Sequence, residues 1–278
     1  MRLVIIIAAA AFLLSCGRST PGNNGNNGTN SETPDAADRR REVLADIADN
    51  AIVATYEDFR TKSVALSDAA QAWADSGTSE DREAARVAWR EAMLSWEAGE
   101  VSAIGPAGAM GLVAGGKDLR DHIYSWPTKN PCRVDQEIVE QAYEDPTAFR
   151  EENVNVRGLD TLEYLLFQDG TENACSEAGS INADGSWAAL DQAELDARRA
   201  AYARTVAAEI VVRVDELLAA WEGGFRDDFV EAGAGSTVFP AAQDALNALT
   251  DSLFYLDGEL KDMKLAEPAG LLNCTEAL

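Results

Sequence analysis

Two acidic residues stand three positions apart in the segment NVRGLDTLEYLLF, residues 155–167, which otherwise has the pattern of a helix with a leucine face. On a helix Asp160 and Glu163 are neighbours, and adjacent carboxylates repel each other and raise one pKa unless a cation lies between them. A bound metal ion would remove that repulsion, and so would Arg157, one turn earlier. The alternative is an amphipathic helix with a solvated acidic edge.

Carboxylate oxygens favour hard cations such as ferric iron, calcium or manganese. The chain has a single histidine, His122, in the segment RDHIYSWP. A zinc hydrolase commonly takes two histidines from one helix, and a serine or cysteine hydrolase normally needs a histidine base. The residues therefore favour metal binding without catalysis over a peptidase. His122 is either a further metal ligand or a helix-end histidine with a structural partner.

The elements that must position these residues are helical. Apolar residues recur at helical spacing through nearly all of the chain after residue 36, and no segment alternates apolar and polar residues as a half-buried strand does. Long helices are predicted over about 36–75, 79–104, 187–222 and 238–265, and a shorter helix over 157–168 holds the two acids. Four long helices with short ones between them predict an all-α, antiparallel helical bundle.

The second long helix has clear start and stop signals. Thr78 and Ser79 with acids behind them form a capping start, and Gly105 with Pro106 ends the helix. The predicted apolar stripe of this helix consists of Val87, Trp89, Met93, Leu94 and Trp96. We interpret its two tryptophans, seven residues apart on one face, as core residues rather than a binding platform.

The N-terminal residues, MRLVIIIAAAAFLLSC, predict export. A basic start precedes an apolar run that is too short to span a bilayer and fits a bacterial signal peptide over residues 1–16. The ending LLSC resembles the lipobox of bacterial lipoproteins, which predicts lipidation of Cys16; the alternative is an ordinary signal peptide. Residue 17 is Gly rather than Asp, which resembles the sorting pattern of Gram-negative lipoproteins that are sent to the outer membrane. Residues 17–35 are predicted to be a flexible tether, and residues 36–278 the helical domain.

Charge narrows the class of partner. The chain has 48 Asp and Glu against 23 Lys and Arg, a formal net charge of −25. Nucleic acid is excluded as a partner because phosphate binding needs a basic face, and anionic lipid headgroups are disfavoured for the same reason. The predicted contact with the membrane is therefore the lipid on Cys16, and cations are favoured near the acidic surface.

Cysteine usage predicts one disulfide. If Cys16 carries lipid, then Cys132, Cys175 and Cys274 remain in a chain exported to an oxidising compartment. Three thiols form one bridge and leave one thiol over. The sequence does not specify which pair forms.

The segment RGLDTLEYLLF resembles the signature of the imelysin family, written G-x-H-x-x-E and followed by an apolar run. Gly158 and Glu163 match that signature, and Asp160 occupies the histidine position. Four further segments resemble family elements in the family's order. They are VAWREAMLSWEAGEVSAIGP, which contains Glu100, then RDHIYSWP, then YARTVAAEIVVRVDELLAAW, which resembles the helix following the signature, and then ALNALTDSLFYLDGELKDMKLAEPAG. The likeness covers nearly the whole chain after the tether.

The resemblance implies a helical, two-part protein of the bacterial envelope that is linked to uptake of iron or another metal, with an old label as a metallopeptidase. It implies Glu163 as the first metal ligand, with Asp160 as a hard-oxygen replacement for the imidazole and Glu100 as a third ligand from a neighbouring helix. His122 is the fourth candidate. The predicted supporting residues are Gly158 and Arg157. Members of the family continue into a second bundle, so we expect this chain to be a truncated or a short form, with Cys274 pairing outside it.

The predicted function is that of a cell-envelope, imelysin-like lipoprotein that binds a metal or a metal complex in iron uptake. A competing hypothesis is a surface module without metal that docks a partner protein through an uncovered helix face. An exposed apolar patch would favour that hypothesis. A hydrolase is the third possibility, and it would need a second ligand or base brought near His122 by the fold.

Overall fold

The computed structural model describes residues 34–255 together with positions 261, 262, 265, 266 and 269. The described part is helical without a β-strand, which confirms the all-α prediction. The predicted signal peptide and most of the predicted tether, with Cys16, lie outside the described residues, and so does Cys274. None of the described helices is both long and apolar enough to cross a membrane.

Eleven α-helices are described, linked by 3₁₀ and π turns. They are α1 (Pro34–Ile47), α2 (Ala54–Ser76), α3 (Ser79–Glu100), α4 (Leu119–Ile123), α5 (Pro131–Glu140), α6 (Pro146–Phe149), α7 (Gly158–Phe167), α8 (Ser180–Ala183), α9 (Gln192–Ala220), α10 (Arg226–Val230) and α11 (Ala242–Tyr255). A π turn, Ala48–Val53, joins α1 to α2, and a second, Trp221–Phe225, joins α9 to α10. We call residues 101–118, between α3 and α4, the glycine-rich loop.

The core of the bundle is the packing of α2 against both α3 and α9. A short turn at Gly77, whose φ is 66°, reverses the chain between α2 and α3. Two ion pairs show that α9 and α10 run antiparallel to α1 and α2. Arg60 pairs with Asp215, whereas Asp49, earlier in the chain, pairs with Arg226, which is later than Asp215. The described helices therefore form the predicted antiparallel bundle.

The predicted apolar stripe of α3 is wrong in part. Met93 and Trp96 are buried in the core, whereas Val87 is 47% exposed and Leu94 is 73% exposed. At about 100° per residue, positions 87 and 94 fall on the face opposite to Trp89 and its two buried companions. The predicted N-terminus of this helix is confirmed, since the Thr78 side chain accepts a hydrogen bond from the Asp81 amide.

The helix α7 is enclosed by α3, α4, α5 and α9. Trp89 donates a hydrogen bond to the carbonyl of Leu159 near its start. At its end, Arg82 and Arg86 of α3 both donate to the carbonyl of Leu166. These arginines supply donors to a helix terminus whose carbonyls lack partners within the helix. The short motif helix is therefore fixed to α3 at both ends.

The glycine-rich loop wraps around one aromatic ring. Phe225 follows Gly224, where the backbone leaves helical geometry between α9 and α10 with φ 134°. A Cβ atom placed on Gly105 would lie 2.1 Å from the Phe225 ring, and one on Gly115 would lie 2.6 Å from it. Phe225 also packs against Phe239, with ring centroids 6.0 Å apart. The glycines in this loop therefore allow its backbone to approach an aromatic cluster.

A disulfide joins Cys132 in the first turn of α5 to Cys175 in the loop that follows α7, with Cα atoms 4.5 Å apart. This is the pair that the sequence left undetermined. Beside it, the buried carboxylate of Asp135 accepts hydrogen bonds from the Ala174 amide at 2.7 Å and from the Tyr164 hydroxyl at 3.0 Å. The bridge and this carboxylate together hold the loop against α5 and α7.

Asp135 gives the fold a pH dependence. Burial raises the pKa of its carboxyl from 3.8 to about 6, against the lowering effect of its two hydrogen bonds. Between about pH 4 and 6 the Asp135 carboxyl therefore stays protonated in the folded state and is ionised in the unfolded state. Its contribution to stability is present in full below pH 4 and is lost as the pH rises towards 6. We expect Asp135→Asn to reduce the fall in unfolding free energy between pH 4 and 7 by roughly 2 kcal/mol, measured by urea unfolding.

Tyr164→Phe tests the same account in the opposite direction. Loss of the hydroxyl removes a hydrogen bond that favours the charged carboxylate, so the fall in stability should extend to higher pH than in the parent. An identical pH profile for the parent and Asp135→Asn would show that this carboxyl does not carry the dependence.

Candidate functional site

The motif glycine has a steric reason. Gly158 begins α7 with a φ of 80°, a value that side chains rarely adopt. A Cβ atom there would lie 2.9 Å from the carbonyl oxygen of Ile123. Glycine therefore lets the start of α7 lie directly against the segment that follows α4, and this segment supplies the partner of Asp160.

Asp160 is a buried residue, with 1% of its surface exposed. Its Oδ1 accepts hydrogen bonds from the Ser125 hydroxyl at 2.5 Å and from the Thr161 amide at 2.9 Å, whereas Oδ2 has no hydrogen-bond partner among the described residues. Burial raises the pKa of this carboxyl, and the bond from Ser125 opposes the rise. The interpretation of Asp160 as part of a solvated edge is therefore wrong.

Glu163, one turn later, is exposed to solvent. Glu163 and the two buried acids all act on the ionisation of Tyr124. Burial raises the pKa of the Tyr124 hydroxyl, and the carboxylates of Glu100, Asp160 and Glu163 raise it further. Three of the four predicted metal ligands thus lie close enough to Tyr124 to raise its pKa. Of the two acids on α7, Glu163 faces solvent and Asp160 does not.

Glu100, at the end of α3, is held by an arginine. Its side chain is fully buried, and its Oε1 accepts hydrogen bonds from Arg120 Nη2 at 2.8 Å and Nε at 3.1 Å. Arg120 also donates to Asp121 and to the carbonyl of Trp126. The charge of Glu100 is therefore neutralised by a guanidinium that also fixes the turn between α4 and α5.

His122 belongs to a different cluster. Its Nδ1 lies 3.0 Å from Nη2 of Arg157, and because arginine only donates, Nδ1 is the acceptor. Burial lowers the pKa of this imidazole, and Arg157 and Arg213 lower it further. Arg157 is itself buried and pairs with Glu209 of α9 at 3.0 Å. The side chain of Arg157 therefore bonds to Glu209 and His122. The prediction that it neutralises Asp160 and Glu163 is wrong.

The described residues do not form a ready metal site. Among them, no three His, Cys, Asp or Glu side chains are grouped so that they could hold a metal ion. The acids around Tyr124 are divided between a buried carboxylate bound by Ser125, a buried carboxylate bound by Arg120, and the exposed Glu163. Oδ2 of Asp160 is the one oxygen of that carboxylate without a hydrogen-bond partner among the described residues, whereas a hard cation is commonly held by several oxygens that include carboxylates and water.

A groove of about 880 Å³ opens beside this cluster, between the glycine-rich loop and α11. Its apolar walls include Ile104, Ala107, Val113, Phe239 and Ala248. Arg120 lies both in the groove and on Glu100, and Pro127 and Thr128 line the groove just after Ser125, the partner of Asp160. The turn between α4 and α5 therefore separates the acidic cluster from the groove and contacts both.

Sequence reasoning missed the groove and the partners of the acids. Tyr124 and Ser125 stand inside the quoted segment RDHIYSWP, but nothing in their spacing indicates that they face Asp160, which lies 35 positions later. The glycines of the loop were the available signal for the groove, because closely spaced glycines often mark a backbone that approaches another group.

Comparison with known proteins places this fold among helical proteins of one family. A curated relative, Iron-regulated protein A of Synechococcus elongatus, is 29% identical over 126 residues, which is 45% of this chain and 31% of that protein. An imelysin-like protein from Psychrobacter arcticum matches with a TM-score of 0.59 at 18% identity, over 79% of this chain and 60% of that one.

A further structure, a putative iron-regulated protein A precursor from Parabacteroides distasonis, matches with a TM-score of 0.55 at 21% identity, over 79% of this chain and 57% of that one. The chain thus spans about a third of the curated relative and about three fifths of these structures. At such identities the structures support the fold alone. The sequence profile of the Imelysin family, also described as peptidase family M75, matches residues 52–277. The chain therefore belongs to the imelysin family.

Proposed function

We propose that this protein is an envelope-anchored binding protein of bacterial iron acquisition, and that its cargo is a metal complex rather than a bare ion. The iron-related role is supported by membership of the imelysin family and by the name Iron-regulated protein A given to a relative. The cargo class is supported by the contrast between acids that already have protein partners and an open groove beside them.

The groove is the observation that carries the cargo class. A chelate supplies the oxygen ligands of its own metal, so the protein needs a shaped cavity with a few polar groups rather than a set of carboxylates. The volume of about 880 Å³ lies in the range of cavities that hold small organic ligands. Glu100, bonded to Arg120, and Asp160, bonded to Ser125, then stabilise the turn that forms one side of the groove.

The proposed location rests on the N-terminal sequence. A lipid on Cys16 and the polar tether would hold the domain near a membrane, with the outer membrane as the proposed site. The Cys132–Cys175 disulfide is compatible with an oxidising compartment. Cell fractionation of the Cys16→Ser variant tests the anchor. Loss of membrane association would support it, and unchanged association would contradict it.

Calorimetric titration of the purified full chain tests the cargo. We expect a ferric trihydroxamate complex to bind at about micromolar affinity or better, and ferric, zinc and calcium ions to bind no more tightly to the parent than to the double variant Asp160→Ala, Glu163→Ala. Ala248→Trp fills the groove and should abolish binding of the complex. Ala98→Trp, in a shallow depression between α2 and α3, is the matched control.

The opposite pattern would contradict the proposal. Tight binding of a bare ion that disappears in the double variant would assign the site to the motif carboxylates. Binding of the complex that survives Ala248→Trp would move the site out of the groove. Thermal unfolding of each variant shows whether a loss of binding is a loss of folding.

A protein-docking surface is the second candidate function, and a specific observation favours it. Leu112 and Met110, two residues apart in the glycine-rich loop, are 88% and 66% exposed. Exposed apolar side chains in one region often mark a protein contact. Photo-crosslinking from position 112 in intact cells would yield a defined protein adduct if the surface docks a partner.

A further inference from the structure

The polar groups of the groove are unequal in charge. Three carboxylates line it, from Asp121 of α4 and from Asp244 and Asp251 of α11. Arg120 is the only basic residue among the lining residues of the described chain. Its guanidinium is already bonded to Glu100 and to Asp121. Two carboxylates on α11 therefore remain without a basic partner among the described residues of the lining.

The positions of these two carboxylates place them at opposite ends of one wall. Asp244 lies in the first turn of α11 and accepts a hydrogen bond from the Ala241 amide at 3.1 Å, while Asp251 lies two helical turns later. Both are exposed, and both line the groove together with apolar residues of the glycine-rich loop. A ligand seated between the walls would contact apolar surface on one side and negative charge on the other.

We infer that the groove selects a positively charged complex with an apolar periphery. This inference rests on the proposed function and adds the charge of the ligand to it. Charge complementarity is the reason, because a cationic group on the ligand would lie near Asp244 and Asp251, whereas an anionic chelate would be repelled by them. The net charge of −25 on the chain acts in the same direction at longer range.

The test uses two ligands that differ in one charge. A ferric trihydroxamate complex with a free primary amine is compared with its N-acetylated, neutral form by calorimetry on the full chain. At low ionic strength the amine form should bind about two- to fivefold more tightly, the effect expected of one exposed ion pair between the ammonium group and a carboxylate of α11. Added salt should reduce the ratio, because exposed charges are screened.

The double variant Asp244→Asn, Asp251→Asn should bind the two forms about equally. Asparagine keeps the side-chain oxygen that accepts the Ala241 amide, so α11 retains its first turn. The matched control is Asp68→Asn, Glu97→Gln, which removes the same number of exposed charges outside the groove lining. This control should retain the preference of the parent.

The outcomes separate the two proposals. Equal binding of both forms to the parent would overturn the charge selection while leaving the groove as a site for a complex. The control variant could also lose the preference for the amine form to the same extent as the groove variant. The preference would then come from the overall negative charge of the protein, and the inference would be overturned. Failure of both forms to bind would overturn the proposed function and the inference with it.

Discussion

Gly105→Ala is expected to destabilise the protein by about 3 kcal/mol. Two effects add at this position. The residue has a φ of 54°, which costs a residue with a Cβ on the order of 1 kcal/mol. The new Cβ would also lie 2.1 Å from the Phe225 ring, and relieving such overlap in a packed core typically costs about 1–3 kcal/mol. Thermal unfolding should show a melting temperature lower by roughly 6 to 12 °C.

Gly111→Ala separates the two effects. Gly111 lies in the same loop with a φ of 79°, but a Cβ placed there meets no atom within 4 Å. This control should therefore show only the backbone cost. Adding Phe225→Leu to Gly105→Ala should recover part of the lost stability relative to the sum of the single changes. Equal losses at the two glycines would show that contact with Phe225 does not hold the loop.

Glu209→Ala is expected to cost about 3–5 kcal/mol of unfolding free energy, the range for removing one partner of a buried ion pair. The side chains of Arg157 and Glu209 are only 3% and 4% exposed, and Arg213 donates to the same carboxylate oxygen. Without the acid, two guanidinium groups would face each other beside the imidazole of His122. Chemical denaturation measures the loss.

A second carboxylate on the same helix provides the control. Asp215 pairs with Arg60 on the surface, where both side chains are 47% exposed, so Asp215→Ala should leave stability nearly unchanged. Glu209→Gln keeps a hydrogen-bond acceptor but removes the charge. Its loss of unfolding free energy should lie between those of Asp215→Ala and Glu209→Ala. A small effect of Glu209→Ala would mean that water reaches Arg157 and that the cluster is not a closed polar core.

Local signals in the sequence predicted the helices well and their partners poorly. The cap at Thr78 and the periodicity of α9 are properties of adjacent residues, so they can be read along the chain. The start of α9 was placed about five residues too early, because Trp187 instead turns its indole N–H to the carbonyl of Thr171. Contacts of that kind depend on the tertiary fold and are not visible in the periodicity of the sequence.

The candidate site shows the same limit. At helical spacing Asp160 falls on the polar side of α7, but this spacing does not reveal that Ser125 and the backbone of Arg157 cover that side. Glu163, on the same helix, does face solvent. His122 stands near the motif in the fold, yet its ring bonds to Arg157 rather than joining the acids around Tyr124. Residue type and spacing thus identified the region but not the pairing.

The ring of Phe225 also has a mechanical consequence. It follows Gly224, where the chain bends between α9 and α10, and it fills the space left by Gly105 and Gly115 of the glycine-rich loop. Rotation of the backbone at Gly224 would therefore carry the ring and the loop together. The glycine-rich loop, which forms one wall of the groove, therefore moves with that bend. A bulky ligand that separates the walls would have to displace the aromatic cluster around Phe225 as well as the loop.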